Sequence, residues 1–475
     1  MHYSSTRSPK RSSTVDDGTL LDFKDVTLGG LARDGGLYMP DQLPHFSEDD
    51  IRAMWGKPYH EVAFTIMKPF IGDCIDDASL KALLADVYGN AFPDDPAPVV
   101  HLGEKLHVLE LFHGPTLAFK DFALQFLGRV FEHFMAQRNE GEDKPLTILG
   151  ATSGDTGSAA IEATKGLKNV RIIMLHPLGK VSDVQRKQMT SVDAPNVINV
   201  AVEGSFDDCQ TLVKACFNDL AFRDAMNLTA VNSINWARIL AQVVYYFTSA
   251  LRLGSPKHEV SFSVPTGNFG DIFAGFIAKK MGLPIKRLII ASNQNDILTR
   301  TWKTGTYERG TVHATLSPSM DIQISSNFER LLFELSQVDG GGDGDLIEWQ
   351  MSQFEKEGGF ALSTDQWDGL KDNFDAVHIS DSETKEIIGR YKADFDYLPD
   401  PHTAVGLGAA EQFESDEVSI ISLATAHPAK FGDAVQAASG ITPDLPPHLA
   451  GLMEKQEHFE TLAADVDALK AFIKG

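Results

Sequence analysis

Leu111–Gly128 reads LFHGPTLAFKDFALQFLG, and it sets one lysine, Lys120, where a turn gives way to an apolar helix. Before the lysine, His113-Gly114-Pro115-Thr116 is a turn, because Gly is permissive, Pro has no N–H to donate, and Pro biases its predecessor away from helix. After it, Phe119, Phe122, Ala123, Phe126, Leu127, Val130, Phe131 and Phe134 recur at threes and fours, the spacing of a buried helical face. A lysine at such a junction has two readings. Its stem can lie along the apolar surface while its head pairs with Asp121 or water. Alternatively, partial desolvation lowers its basicity and makes it a carbonyl-attacking amine. This stretch alone leaves both open.

Outward from it, the 475-residue chain is too long for one compact core, so two or three domains are expected. A hydrophobic content of 43% and a charged content of 23% suit a water-soluble globular protein, and no apolar run approaches a membrane span. The formal charge of −24 argues against nucleic-acid or anionic-membrane partners, so an anionic small substrate needs a local basic pocket. Cys74, Cys209 and Cys216 are odd in number and form no CxxC, which suits a reducing compartment. Cys209 and Cys216, seven apart, read as core residues of one helix. The Ser- and Arg-rich start MHYSSTRSPKRSS has no apolar core and runs into Asp16-Asp17, so it reads as mature cytoplasmic sequence.

Residues 1–97 read as an N-terminal domain, with a short strand and turn over Leu20 to Leu31 and helices between Ser47 and Tyr88. Pro93-Asp94-Asp95-Pro96 marks its end. From Leu146 the order strand, small-residue loop, helix recurs, the sign of a parallel sheet wrapped by helices. The rhythm restarts at Val260, which divides the remainder into a first α/β lobe, 98–255, and a second, 256–475. Thr304 to Gly359 interrupts the second lobe. Asp339-Gly340-Gly341-Gly342-Asp343-Gly344-Asp345 reads as a flexible surface loop with Asp spacing too irregular for calcium. Glu454 to Lys474 reads as one amphipathic helix packed on the body.

Two loops carry anion-binding chemistry. Ser153-Gly154-Asp155-Thr156-Gly157-Ser158 offers amides and hydroxyls at a helix start behind a strand, although a capped turn needs some of the same residues. Gly267-Asn268-Phe269-Gly270-Asp271 repeats the arrangement at a second strand end, without the Lys-Ser/Thr of a Walker loop. Gly406-Leu407-Gly408 follows no clear strand and is set aside as a dinucleotide fingerprint. His113, His402 and His427 are not spaced for zinc. One turn-held lysine, two Gly-rich loops and Thr425 at a third strand end together suit an aldehyde cofactor with a phosphate, pyridoxal phosphate.

The chain also resembles the threonine synthase family of fold-type II pyridoxal phosphate enzymes, relatives of the tryptophan synthase β-subunit, in its longer bacterial and fungal branch. The matching stretches are Tyr3–Arg7, Gly30–Tyr38, the Lys120 segment, Thr152–Ala160, Gly267–Asp271, Ser317–Ile322, Asp400–Gly406 and Ala424–Pro428. The resemblance implies a two-lobed fold with an N-terminal extension, and Lys120 as the Schiff-base anchor and proton carrier. It implies that Gly267, Asn268, Phe269 and Gly270 cradle the cofactor phosphate beside Asp271, that Thr425 faces the pyridine nitrogen, and that Ser153 to Thr156 takes the substrate carboxylate. The same loop would lie against the cofactor ring, where Asp155 counts among the cofactor-binding residues, although related enzymes often carry Asn at that place. The implied substrate is O-phospho-L-homoserine and the products are L-threonine and phosphate. For the leaving phosphate the candidates are Lys180, Arg186, Asn232, Ser233 and Arg238. A cytoplasmic monomer without S-adenosylmethionine control is implied as well. The alternatives are a related phospho-amino-acid lyase that releases a keto acid and a non-catalytic metabolite-binding scaffold.

Overall fold

The computed structural model describes residues 1–8, 20–137, 144–338, 341–414 and 417–475. Among these residues two sheets carry the molecule. The larger has six strands in the order Phe374–His378, Ile285–Ser292, Val260–Pro265, Ser419–Ala424, Leu106–Glu110 and Val99–His101. All its pairs are parallel except the last. The smaller is parallel throughout, in the order Glu460–Ala463, Val197–Glu203, Val170–Pro177, Leu146–Ala151, Leu228–Thr229. Parallel strands need helical crossovers, which cover both faces and explain why the central strands are almost wholly apolar.

The sheets exchange segments across the expected lobe boundary. Leu106–Glu110, expected in the first lobe, pairs with Ser419–Ala424 in the larger sheet and carries Val99–His101 on its outer edge. Glu460–Ala463, expected inside a helix of the second lobe, pairs with Val197–Glu203 in the smaller one. The C-terminal helix is accordingly short, Val466–Lys474: Asp465 accepts a hydrogen bond from the Ala468 amide and starts it there. Its Leu469 and Ile473 pack on Cys209 and Cys216 of the helix Phe206–Asn218.

Two further expectations change. Leu20 to Leu31 is mostly helix rather than strand and turn, because Asp22 and Asp25 form a reciprocal capping box that starts Phe23–Gly29, and Gly30 at φ 68° ends it. Of the expected loop Asp339 to Asp345, Gly341–Gly342 pairs with Gln337–Val338 and Asp343 caps the helix Gly344–Glu357, while Asp339 and Gly340 lie outside the described residues. Pro9 to Ser13 of the Ser- and Arg-rich start also lie outside them. Gly406 and Gly408 sit inside the helix Pro401–Glu411, where added Cβ atoms would meet Ser422 Oγ at 2.9 Å and Ile387 Cδ1 at 2.4 Å; they are packing glycines.

Two long helices hold the site. Trp236–Arg252 is buried from Trp236 to Leu251, and Trp236 meets Tyr3 at 6.2 Å and Phe70 at 5.9 Å, docking the N-terminal domain. Lys120–Ala136 buries the Phe-rich face read from the sequence, with Phe122 against Tyr245 at 5.6 Å. Among the described residues no helix is long and apolar enough to cross a membrane.

Candidate active site

A cavity of about 850 Å³ lies where the two sheets present strand ends to each other. The Lys120 segment reaches it because the strand end Ala424-Thr425-Ala426 is stitched to the segment by backbone bonds. The Leu111 amide donates to Ala424 O at 2.9 Å, Phe119 to Thr425 O at 2.9 Å, and His427 to Leu117 O at 3.1 Å. Leu117 takes φ 63°, a left-handed conformation rare for a leucine, so the chain turns sharply just before the helix. Asp121 locks that turn, accepting from the Thr116 amide at 2.8 Å and hydroxyl at 2.7 Å. Burial pushes its carboxyl up to about 6 against these bonds.

Lys120, first residue of its helix, extends its amine into the cavity. Its side chain is 13% exposed and its Nζ donates to Asp155 Oδ2 at 3.1 Å. Burial lowers its basicity and the Asp155 charge partly restores it, so the net direction is down. Asp155, first residue of the helix Asp155–Thr164, is saturated. Oδ2 accepts from Lys120 and from Ser319 Oγ at 3.0 Å, while Oδ1 accepts from Gln185 Nε2 at 2.7 Å and Lys430 Nζ at 2.9 Å. Burial works against its charge, yet the two ammoniums outweigh burial and hold the carboxyl well below the ordinary range. Thr152, rather than Ser153 or Asp155, caps the turn, accepting from the Gly154 and Gly157 amides at 2.9 Å each. Gly154 takes φ 142°, and a Cβ there would strike Gln185 at 2.4 Å. Ser153 and Thr156 line the cavity beside it.

The second loop is built differently. Gly267 O accepts from Ser325 Oγ at 2.7 Å, and Asn268 O accepts from the Asn327 amide and side chain at 3.0 Å each. With those carbonyls held on one side, the amides at the start of the helix Gly270–Lys280 lack intrahelical partners and make an anion cradle. Phe269 holds the N-cap position in the left-handed region, φ 62°. An added Cβ at Gly267 would lie 2.9 Å from Ser319 O, so only glycine leaves the wall undisturbed. Asp271 turns its carboxylate inward: Oδ1 accepts from Tyr245 at 2.6 Å and Tyr246 at 2.9 Å, Oδ2 has no partner, and burial raises it to about 6.

These features fit a phosphate-bearing aldehyde. Besides the amine and the cradle, Arg238 is a fully buried guanidinium on the cavity wall whose Nη1 donates only to Val231 O, at 2.9 Å, with Nε unpartnered and its pKa drawn down by burial to about 10. A buried cation without a carboxylate suits an incoming anion. Asn232 and Ser233 stand beside it, and Ser233 lies against Gly270.

Of the sequence candidates, Lys120, Ser153, Asp155, Thr156, Asn232, Ser233, Arg238, Gly267 to Asp271 and Thr425 converge on this cavity. Lys180 and Arg186 do not. Lys180 is exposed past the strand Val170–Pro177, and Arg186 pairs with Glu457 at 2.8 Å and Asp183 at 2.6 Å. One residue earlier, about 100° around the same helix, Gln185 faces Asp155 instead. Sequence reading missed Gln185, Ser319, His402 and Lys430. His402 carries Asp400 on Nδ1 at 2.6 Å and accepts the Ser319 amide on Nε2 at 3.2 Å. Ser319 and His402 lie inside stretches that carried the family resemblance, whereas Lys430 falls two residues beyond one.

Comparison with known proteins agrees with this geometry. A family model described as "Threonine synthase N terminus" matches residues 2–88, one described as "Pyridoxal-phosphate dependent enzyme" matches 96–361, and one described as "Threonine synthase, C-terminal" matches 403–473. A threonine synthase of Pseudomonas aeruginosa is 49% identical over 463 residues, 97% of this chain and 97% of that one. One from Saccharomyces cerevisiae is 44% identical over 98% of this chain and 97% of its own. The crystal structure of PLP-bound threonine synthase from Brucella melitensis superposes with a TM-score of 0.93 at 49% identity, covering 100% of this chain and 99% of that one.

Proposed function

This chain belongs to the threonine synthase family, and from that premise we propose that it converts O-phospho-L-homoserine and water to L-threonine and phosphate at the cavity around Lys120. It is a two-lobed fold-type II enzyme with pyridoxal phosphate as cofactor. The observation that carries the reading is the position of Lys120: a buried amine held by Asp155 in a cavity that two helix N-termini also line, one filled by that acid and one open.

When bound, pyridoxal phosphate supplies an aldehyde carbon that takes up amines and a ring that withdraws electrons from the bonds at Cα. The chain's own residues do the rest. Amides of Gly267 to Gly270 would grip the cofactor phosphate, and Lys120 would hold the aldehyde carbon covalently. Thr425 would meet the pyridine nitrogen with a neutral hydroxyl, which favours protonation there less than a carboxylate does. Ser153 and Thr156 would orient the substrate carboxylate at the helix start. Displaced by the substrate amine, Lys120 would take the Cα proton, and its reduced basicity helps it give protons back. Asn232, Ser233 and Arg238 would hold the leaving phosphate. Ser233 and Gly270 line the same cavity, so the two phosphates would share this wall. Water would then add at Cβ. A cytoplasmic monomer completes the reading, with three free thiols suiting a reducing compartment.

Product analysis tests the reading. With O-phospho-L-homoserine, purified protein should release phosphate and threonine in equal amounts; 2-oxobutanoate in place of threonine would assign it to the keto-acid-forming lyases. Lys120→Ala should remove the visible absorption of the cofactor-loaded protein, and a band that persists would place the covalent link elsewhere.

A further inference from the structure

Lys430 is a buried cation at the site that has no surface on the cavity. It lies in the short turn Pro428–Phe431, one turn past the strand carrying Thr425, and is 1% exposed. Its Nζ donates to Asp155 Oδ1 at 2.9 Å and to Thr116 O at 2.7 Å. Asp155 therefore serves two ammoniums at once, one on each oxygen. The two are not equivalent. Lys120 faces the cavity and must change bonding partner and proton during turnover, whereas Lys430 is sealed behind Asp155 and can do neither.

That asymmetry matters because of what Asp155 would do alone. A fully buried carboxylate is pushed toward its neutral form unless an opposite charge stays beside it. Whenever the Lys120 nitrogen gives up its proton during turnover, one of the two charges facing Asp155 is lost. The other groups near Asp155 are Gln185 and Ser319, which are neutral, and His402, whose Nδ1 is held by Asp400. On the far side, Lys430 faces Asp121, with Glu162 behind it, and Arg238 faces Lys120 rather than Asp155. Among the described residues, Lys430 is the ammonium that remains in place throughout.

We propose that Lys430 is a positioning residue: the permanent counter-charge that keeps Asp155 ionised against the cofactor while Lys120 is released and recaptured, and the tie that holds the Thr116 turn to Asp155. The proposal rests on the reading that Lys120 carries the cofactor.

The experiment is a pH titration, from 4 to 9, of the visible absorption of the cofactor-loaded protein. Lys430→Gln keeps a donor for Asp155 and Thr116 but loses the charge; Lys430→Arg keeps the charge. Wild type and Lys430→Arg should show no protonation of Asp155 in this range. In Lys430→Gln, loss of the charge raises the Asp155 pKa and should bring its protonation into this range as a new spectral step. The double variant Asp155→Asn/Lys430→Gln should lose that step. A step that persists in the double variant belongs to another acid, such as Asp121 or Asp271, and overturns the proposal. A Lys430→Gln titration that tracks wild type also overturns it, leaving Lys430 as a mechanical tie. Loss of the band in Lys430→Gln but not in Lys430→Arg supports the requirement for charge, while loss in both marks a steric plug and overturns it. A wild-type protein without any band would instead overturn the Lys120 reading beneath it.

Discussion

The turns after the strands Leu146–Ala151 and Val260–Pro265 occupy equivalent places in their sheets and hold opposite contents. In the first, the helix N-terminus is filled from within: Asp155 sits at its first position, ionised and saturated by Lys120, Lys430, Gln185 and Ser319. In the second, glycine holds the first helical position, the acid one residue further in, Asp271, is drawn away by Tyr245 and Tyr246, and the amides around Gly270 are left for something from outside. An ionised carboxylate aimed at those amides would compete with a phosphate for the same donors. The same strand-turn-helix unit thus becomes an anchor for cations in one lobe and a receptor for an anion in the other, and where the acid of the helix's first turn points decides which.

The comparison breaks most visibly at Asp155. Asp155→Ala would leave two ammoniums buried without their shared counter-charge, a loss of roughly 3–5 kcal/mol by the measure of other broken buried pairs. Urea unfolding of the cofactor-free protein reads it directly. A loss under about 1 kcal/mol would mean that the first turn is not held together by charge.

Next comes the acid of the second turn. Burial sets the Asp271 carboxyl at about 6, above its value in the unfolded chain, so the native state holds a proton that the unfolded state has released. Between about pH 4 and 6 the native state binds more protons, so this residue lowers stability as pH rises through that window, by roughly 2–3 kcal/mol in all. Asp271→Asn keeps an acceptor for both tyrosines and should flatten that part of the profile. Asp121, also held at about 6, contributes a fall of the same sign in both proteins. Thermal melts of the cofactor-free protein at pH 4, 5, 6 and 7 check it, and an unchanged slope would show that Asp271 is not the proton-holding group. The first turn has the opposite sign: Asp155 contributes stability above the unfolded carboxylate range that is lost only as pH falls through its much lower folded value.

Gly267→Ala tests the open turn itself. The new Cβ would crowd Ser319 O at 2.9 Å, so the loop must shift, and pyridoxal phosphate should bind about tenfold more weakly. Pyridoxal, which lacks the phosphate, should bind Gly267→Ala and wild type alike. An equal loss for both ligands would show that the loop is not the phosphate receptor.

Much of this arrangement is legible in the chain because it is local. The turn and apolar face around Lys120, both glycine loops and the long helix from Trp236 declare themselves by spacing within twenty residues. What escapes depends on partners far along the sequence. The strands Leu106–Glu110 and Glu460–Ala463 look like neighbours of the segments beside them, but each joins its sheet by pairing with a strand hundreds of residues away, Ser419–Ala424 and Val197–Glu203, which no local pattern marks. Gln185 and Arg186 are adjacent, and nothing in their helix says which one faces inward. Lys430 goes unmarked because its partners, Asp155 and Thr116, lie some hundreds of residues earlier in the chain. A cation in the sequence marks a candidate anion site, but Arg186 spends its charge on an ion pair with Glu457 of the C-terminal segment.

The smallest effect joins the two turns. Ser319 gives its hydroxyl to Asp155 Oδ2 at 3.0 Å, while its carbonyl backs Gly267 and its amide is held by His402. The interruption Thr304 to Gly359 is therefore not a passive insertion, since it supplies the wall shared by the anchor and the receptor. Ser319→Ala removes only the hydroxyl, one of four donors to an acid that keeps both ammoniums. It should cost roughly 0.5–1.5 kcal/mol in unfolding and leave pyridoxal phosphate affinity within about threefold, since the carbonyl at Gly267 stays in place. If Ser319→Ala weakened pyridoxal phosphate as much as Gly267→Ala does, the hydroxyl would be setting the position of the backbone, and the two turns would be one coupled site rather than two that share a wall.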